Sequence, residues 1–201
     1  MKRERWNEKW LERLDGRYSE PNRFLVAEVE NLKPGRALDL ACGVGRNTLW
    51  LAERGWRVTA VDYSEVALAE ARRRAAERRL DVDWVLADVT EWDPVAGEYD
   101  LVCVMYLQVP ALDRRAVLGC AVRALAPGGT LLVVGHHLRN LAEGVGGPSS
   151  PDVLFTAEDV AAELPRDMWV ERADTVLRPV ETEEGMRDAI DALVRARRPD
   201  A

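Results

Sequence analysis

The sequence predicts an α/β protein built on a doubly wound, mostly parallel sheet. From residue 36 onward, short apolar runs alternate with segments of helical periodicity. The runs are continuously apolar, as strands buried on both faces require, and do not alternate with polar residues. The first run ends in Gly43-Val44-Gly45, a turn that leads directly into a helical segment. At 201 residues the chain has the length of one domain, taken as 1–201.

The opening segment reads as two helices. Trp6, Trp10, Leu11 and Leu14 recur at helical spacing, and Gly16 ends the stripe. A second helix begins near Pro21, places Phe24, Leu25, Val29 and Leu32 on one side, and closes at Lys33-Pro34-Gly35. Residues 1–33 are expected to cover the site side of a core formed by 34–201. Strands follow at 37–42, 58–61, 82–87, 99–105 and 130–135. Ser64 caps a helix running to about Arg79. Asp113 caps another that carries Ala116, Val117, Cys120, Ala121, Ala124 and Leu125 on one face and stops at Pro127-Gly128-Gly129.

Residues 140–151 contain Gly144, Gly146, Gly147, Pro148 and Pro151 and read as a loop, expected to close over the site beside it. Thr156 and Asp159 form a capping box, with Phe155 and Val160 as its hydrophobic staple. Residues 168–180 read as a strand and Glu183-Glu184-Gly185 as a turn. For 188–198 the spacing of Ala189, Ile190, Leu193 and Val194 favours a helix.

Composition excludes some functions. A net charge of −7 argues against a general nucleic-acid binder, which needs a basic face for phosphates. Apolar runs such as 101–107 are too short to span a bilayer. Met1-Lys2-Arg3-Glu4-Arg5-Trp6 has no apolar stretch behind it to serve as a signal peptide. Cys42, Cys103 and Cys120 are odd in number and lack metal-ligand spacing, so no metal is expected. They read as small core residues in a reducing cytoplasm. Arg72-Arg73-Arg74 with Arg78-Arg79 reads as the solvated face of a helix.

The stretch from Ala37 to Asn47 is the most informative. A buried strand runs into two glycines and a helix, an arrangement that lets backbone approach a ligand and favours an anion at the helix N-terminus. Asp39 stands four residues before Gly43. The third glycine of the dinucleotide fingerprint would fall at Thr48, so that pattern is incomplete. Asp62, at the end of the second strand, is placed to accept from both ribose hydroxyls of an adenosine. Ser64 already fills the helix-capping role that would otherwise explain it. Asp88 ends the third strand, either receiving an adenine amino group or standing as a turn aspartate.

These residues resemble the class I S-adenosylmethionine-dependent methyltransferases. Asp39 to Asn47 is similar to that family's glycine motif, Asp62 to its ribose acid and Asp88-Val89 to its adenine contact. Tyr99-Asp100-Leu101-Val102 resembles the fourth-strand motif, and Ala126-Pro127-Gly128-Gly129-Thr130 the turn into the fifth strand. The likeness runs from about Phe24 to the C-terminus. It implies a Rossmann-like sheet of seven strands with the last antiparallel, which makes 188–198 a strand hairpinned to 168–180 in place of a helix. It also implies S-adenosylmethionine as cofactor, with Asp39, Gly43, Gly45, Arg46, Asn47, Asp62, Tyr63, Asp88, Val89 and Met105 around it. Arg23 is either a cation for the methionine carboxylate or a solvated arginine. The Asp39–Asn47 segment is further similar to tellurite-resistance-type methyltransferases, compact enzymes of small, soft acceptors, although residues 135–140 depart from their usual sequence.

A small-molecule acceptor is expected beyond the carboxyl ends of strands four and five, near Tyr106 and near His136 and His137, the only histidines. On an extended strand these two histidines point to opposite sides. Tyr106 lines the transfer site or packs against the N-terminal helices, and Trp6, Trp10 and Tyr18 either cover the acceptor or pack on the sheet. Alignment of a soft acceptor is expected to matter more than removal of its proton. The competing functions are a nucleic-acid- or protein-modifying methyltransferase, a nicotinamide-dependent oxidoreductase and a non-catalytic cofactor-binding module.

Overall fold

The computed structural model describes residues 3–12 and 20–200, apart from the side chains of Arg3 and Arg5; Leu14, Gly16 and Tyr18 lie outside the described residues. The strands are β1 (Arg36–Leu40), β2 (Arg57–Asp62), β3 (Asp83–Leu86), β4 (Tyr99–Met105), β5 (Leu125–His136), β6 (Trp169–Thr182) and β7 (Gly185–Arg197). The helices are α1 (Arg3–Leu11), α2 (Arg23–Val29), α3 (Arg46–Glu53), α4 (Glu65–Arg78), α5 (Ala111–Ala124), α6 (Asn140–Glu143) and α7 (Ala157–Glu163), with a 3₁₀ turn at Pro151–Val153. The sheet order is β3-β2-β1-β4-β5-β7-β6, and β7 alone runs against its neighbours.

Alternate residues of each central strand feed two separate cores, which explains the continuous apolar runs. Leu101, Cys103 and Met105 of β4 pack with Leu25, Val29, Trp50 and Leu193 on one face. Val102 and Val104 pack with Val117, Leu118, Phe155 and Val160 on the other. The same two-sided burial explains why helical periodicity misleads in β7. Residues 189–194 are all buried, because β7 lies between β5 and β6 with both faces covered.

Three local expectations are corrected. Asp113 does not cap α5: Pro110 takes that position, Asp113 sits within the first turn, and Ala116 is exposed. Pro127-Gly128-Gly129 is not a break before the fifth strand. Tyr99 pairs with Leu125 and Leu101 with Thr130, so residues 126–129 form a bulge within β5, with Gly128 at φ +72°, inside the β4–β5 ladder. The segment 140–151 is not a plain loop. It contains α6 and leads into the 3₁₀ turn, and buried Asn140 anchors it by accepting from Ile190 N at 2.7 Å and donating to the Gly146 carbonyl at 2.8 Å.

Two capping signals hold as read. Ser64 caps α4 through a bond from Ala67 N, and Thr156 with Asp159 makes the reciprocal capping box of α7. The second helix starts at Arg23, two residues past Pro21, because Asn22 is its cap and accepts from Phe24 N and Leu25 N. On α4, Arg73 and Arg74 pair with Glu70, and Arg78 pairs with Glu53. The three cysteines are free and buried. Among the described residues no helix is long and apolar enough to cross a membrane, and no cluster suits a metal ion.

Candidate active site

The carboxyl ends of β1, β2, β4 and β5 meet along one rim of the sheet, and the antiparallel β7 brings the first half of its run, with Asp191, to the same rim. Two non-glycine residues there hold left-handed backbone, Ala41 (φ 61°) just past β1 and Tyr106 (φ 57°) just past β4. Each costs about 1–2 kcal/mol, a strain that tends to collect at functional sites.

On the β1–β2 side the glycine turn is braced from below. Asp62 Oδ2 accepts from Gly43 N at 2.8 Å and its Oδ1 from Ser64 N at 2.9 Å. Burial pushes this carboxyl up, partly offset by bonds from the Ser64 and Gly43 N–H groups. Each carboxylate oxygen still has a second acceptor position free of these two bonds. Gly43 holds φ 55°, and a Cβ built on it would lie 2.6 Å from the Trp10 ring, so α1 rests on this turn. Asn7 of α1 accepts the Ser64 hydroxyl proton at 2.7 Å. Gly45 serves differently. It holds φ 78° at the start of α3, and a Cβ there would crowd Ala71 and Trp84 at 3.1 Å. Its missing side chain lets α4 and β3 approach.

Asp39 is buried and accepts from the Thr48 hydroxyl at 2.6 Å. Burial pushes it up to about 6 despite that bond. Thr48 occupies the place of the missing third glycine, and its hydroxyl is what ties α3 to β1. Asn47 Oδ1 accepts from Asn22 N at 2.9 Å, fastening the start of α2 to the start of α3 and leaving Arg23 exposed beside it. Tyr63 follows Asp62. Its hydroxyl is buried without a hydrogen-bond partner among the described residues, and burial, then the charges of Asp62 and Asp88, push it up to about 12. Asp88 spends Oδ1 on Thr90, from whose N and hydroxyl it accepts at 3.0 and 2.7 Å. The turn role read as its alternative is therefore present. Val89 and Met105 are buried.

On the β4–β7 side the structure separates the two histidines. His137 is buried. Its Nδ1 accepts from Arg139 N at 3.0 Å, and burial holds it below the usual imidazole value. It shapes the turn into α6, and its Nδ1 is committed there. His136 faces the other way, edge-on to Tyr106 with ring centroids 5.0 Å apart, and a Cβ on Gly147 would touch its ring at 3.0 Å. Gln108 accepts from His136 N at 2.9 Å. Arg46 reaches across from α3 to stand 5.9 Å over the Tyr106 ring.

Sequence reading missed Asp191 and Arg178. Asp191 is fully buried on β7, opposite His136 in the antiparallel register. Tyr106 donates its hydroxyl to Asp191 Oδ2 at 2.6 Å, and Arg178 Nε donates to the same oxygen at 2.8 Å. Burial pushes Asp191 up, but bonds from His136, Arg178 and Tyr106 outweigh it and hold the carboxyl below its usual value. Burial first, and then the Asp191 charge, push the Tyr106 phenol well up, so it stays protonated. The available signal was a lone acid inside the apolar run Ala189-Ile190-Asp191-Ala192-Leu193-Val194.

Residues 37–129 match the family model of a methyltransferase domain. A trans-aconitate 2-methyltransferase of Variovorax paradoxus (strain S110) is 32% identical over 130 residues, 64% of this chain and 49% of that protein. A ribosomal RNA small subunit methyltransferase C of Alcanivorax borkumensis is 32% identical over 133 residues, 61% of this chain and 39% of that protein. The chain thus spans half or less of the length of these curated relatives. The crystal structure of TehB from Haemophilus influenzae superposes with a TM-score of 0.72 at 20% identity, covering 88% of this chain and 62% of that one, a likeness of fold. With its strand order and its strand–glycine turn–helix unit in place, the chain carries a methyltransferase domain over residues 37–129 within the fold of the class I S-adenosylmethionine-dependent methyltransferases.

Proposed function

We propose that the chain transfers the methyl group of S-adenosylmethionine to a small-molecule acceptor, as a single domain whose N-terminal helices cover the site. The observation that carries this reading is Asp62, braced by two backbone N–H groups beside the glycine turn with acceptor capacity left on both oxygens. Two ribose hydroxyls are what that capacity suits. The buried, unpartnered Tyr63 hydroxyl is a second polar group for a ligand there, and Asp88 keeps one oxygen clear of Thr90. In this reading Val89 and Met105 supply apolar walls, Gly43 the close approach, and Asp39, Gly45 and Asn47 hold the turn in shape. Arg46 and the exposed Arg23 are the cations for the methionine carboxylate.

When bound, S-adenosylmethionine supplies a methyl group already activated as a sulfonium. The chain's own task is then to align the acceptor and exclude water. The net charge of −7 favours a small acceptor over nucleic acid, and the named substrate of the Variovorax relative is a small molecule. An NAD-dependent oxidoreductase fits less well, because the third-glycine position carries Thr48 bonded to Asp39. Three free cysteines suit a cytoplasmic location.

The test is turnover: the protein with S-adenosylmethionine and a panel of phenols, alcohols, thiols, amines and carboxylates, read as release of S-adenosylhomocysteine. Acceptor-dependent release is expected. Release with none of them, together with no binding of S-adenosylhomocysteine, contradicts the proposal.

A further inference from the structure

We propose that His136 is a general base for a hydroxyl acceptor and that Asp191 is the positioning residue that aims it; this rests on the methyl-transfer reading above. Asp191 has no exposed surface, and a carboxylate so buried persists only if its oxygens are paired. Oδ2 is taken by the Tyr106 hydroxyl and Arg178 Nε. The remaining oxygen, Oδ1, faces His136 Nδ1 at 3.2 Å, and among the described residues neither atom is taken by any hydrogen bond. An ionised carboxylate offers only acceptors, so the favourable arrangement puts the imidazole proton on Nδ1. The Nε2 lone pair then has no hydrogen-bond partner among the described residues, at the carboxyl end of β5 where open α/β sheets present ligands. His137, one residue on, has the opposite arrangement, since its Nδ1 accepts from Arg139 N and its proton must sit on Nε2.

Tyr106 cannot take the base's role while its own hydroxyl is committed to Asp191. Together with Arg178 it fixes the carboxylate, Gln108 holds the backbone N–H of His136, and Gly147 lies beside the ring where a side chain would collide with it. In the reaction, the acceptor oxygen bonds the methyl carbon as the carbon–sulfur bond breaks. That electron pair remains on sulfur, and the hydroxyl proton passes to His136 Nε2. A phenol or alcohol needs such a base, whereas a thiolate does not. The acceptor class assigned is therefore hydroxyl compounds, in place of the soft acceptor expected from sequence.

Because the chain has only two histidines, ¹⁵N imidazole NMR reads the pair directly on the intact protein. At about pH 8.5, some two units above the ordinary imidazole value, His136 should show protonated Nδ1 and His137 protonated Nε2. Asp191→Asn should move His136 away from the Nδ1–H form and leave His137 unchanged. A His136 with its proton on Nε2 in the unaltered protein overturns the proposal without any variant. In turnover with a panel of phenols and the matching thiophenols, His136→Gln should lose about 10²–10⁴-fold with phenols and little with thiophenols. Equal losses, or methylation of thiophenols alone, overturn the assignment. Failure to bind S-adenosylhomocysteine instead contradicts the methyl-transfer reading, whatever the tautomers show.

Discussion

The two ends of the site rim are built in opposite ways. At β1 and β2 the groups that brace the turn lie close in sequence: Asp62 bonds Gly43, nineteen residues away, and Ser64, two residues away. At β4, β5 and β7 the bonds are long. Tyr106 reaches Asp191 across 85 residues, and Arg178 meets both only because β6 and β7 fold back on β5. The first region is a local motif stabilised by backbone bonds, and the second is a buried charge network set by strand register. A network of that kind tolerates change poorly, since removing one partner leaves another charge buried and unpaired.

The largest effect that separates the regions is expected at Gly43. Gly43→Val forces a β-branched residue into φ 55° and drives its Cβ into Trp10. S-adenosylhomocysteine affinity should fall at least about 10²-fold, roughly 3 kcal/mol, measured by calorimetry. Adding Trp10→Ala should recover part of the loss. No recovery would place the damage in the backbone turn alone, and an unchanged affinity in the single variant would break the distinction between the two regions.

A smaller effect concerns stability. Asp39 is raised from 3.8 unfolded to about 6 in the fold, so the native state binds its proton more tightly than the unfolded chain. Its contribution is full below the unfolded value and is lost as pH rises through about 6. Between pH 4 and 6, denaturant unfolding should show the native protein losing about 2 kcal/mol relative to Asp39→Asn, whose amide does not titrate. Parallel curves for the two proteins would show that Asp39 is not held in a charge-poor setting.

The same contrast decides how much could be read from the chain. The glycine turn, Asp62 and the Ser64 cap were legible because each works over a few residues or at the end of one strand. The β7 strand was not legible from periodicity, because burial on both faces of residues 189–194 erases the alternation that marks a strand. The family likeness supplied it. Asp191 and Arg178 stayed hidden for that reason, since without the β5–β7 register nothing brings Asp191 opposite His136. Gly45 shows the reverse case. It was read from its motif, and nothing in the sequence signals that Ala71 and Trp84 pack against the space it leaves.

The most direct measurement is a calorimetric titration of S-adenosylhomocysteine into the native protein and into Asp62→Ala, with NAD as the control ligand. The native protein should bind S-adenosylhomocysteine and not NAD. Asp62→Ala should weaken that binding by about 1–3 kcal/mol, roughly 5- to 150-fold, because ribose hydroxyls lose their acceptor. Equal affinity in the two proteins, or binding of NAD in place of S-adenosylhomocysteine, would contradict the assignment of this rim as a methyl-donor site.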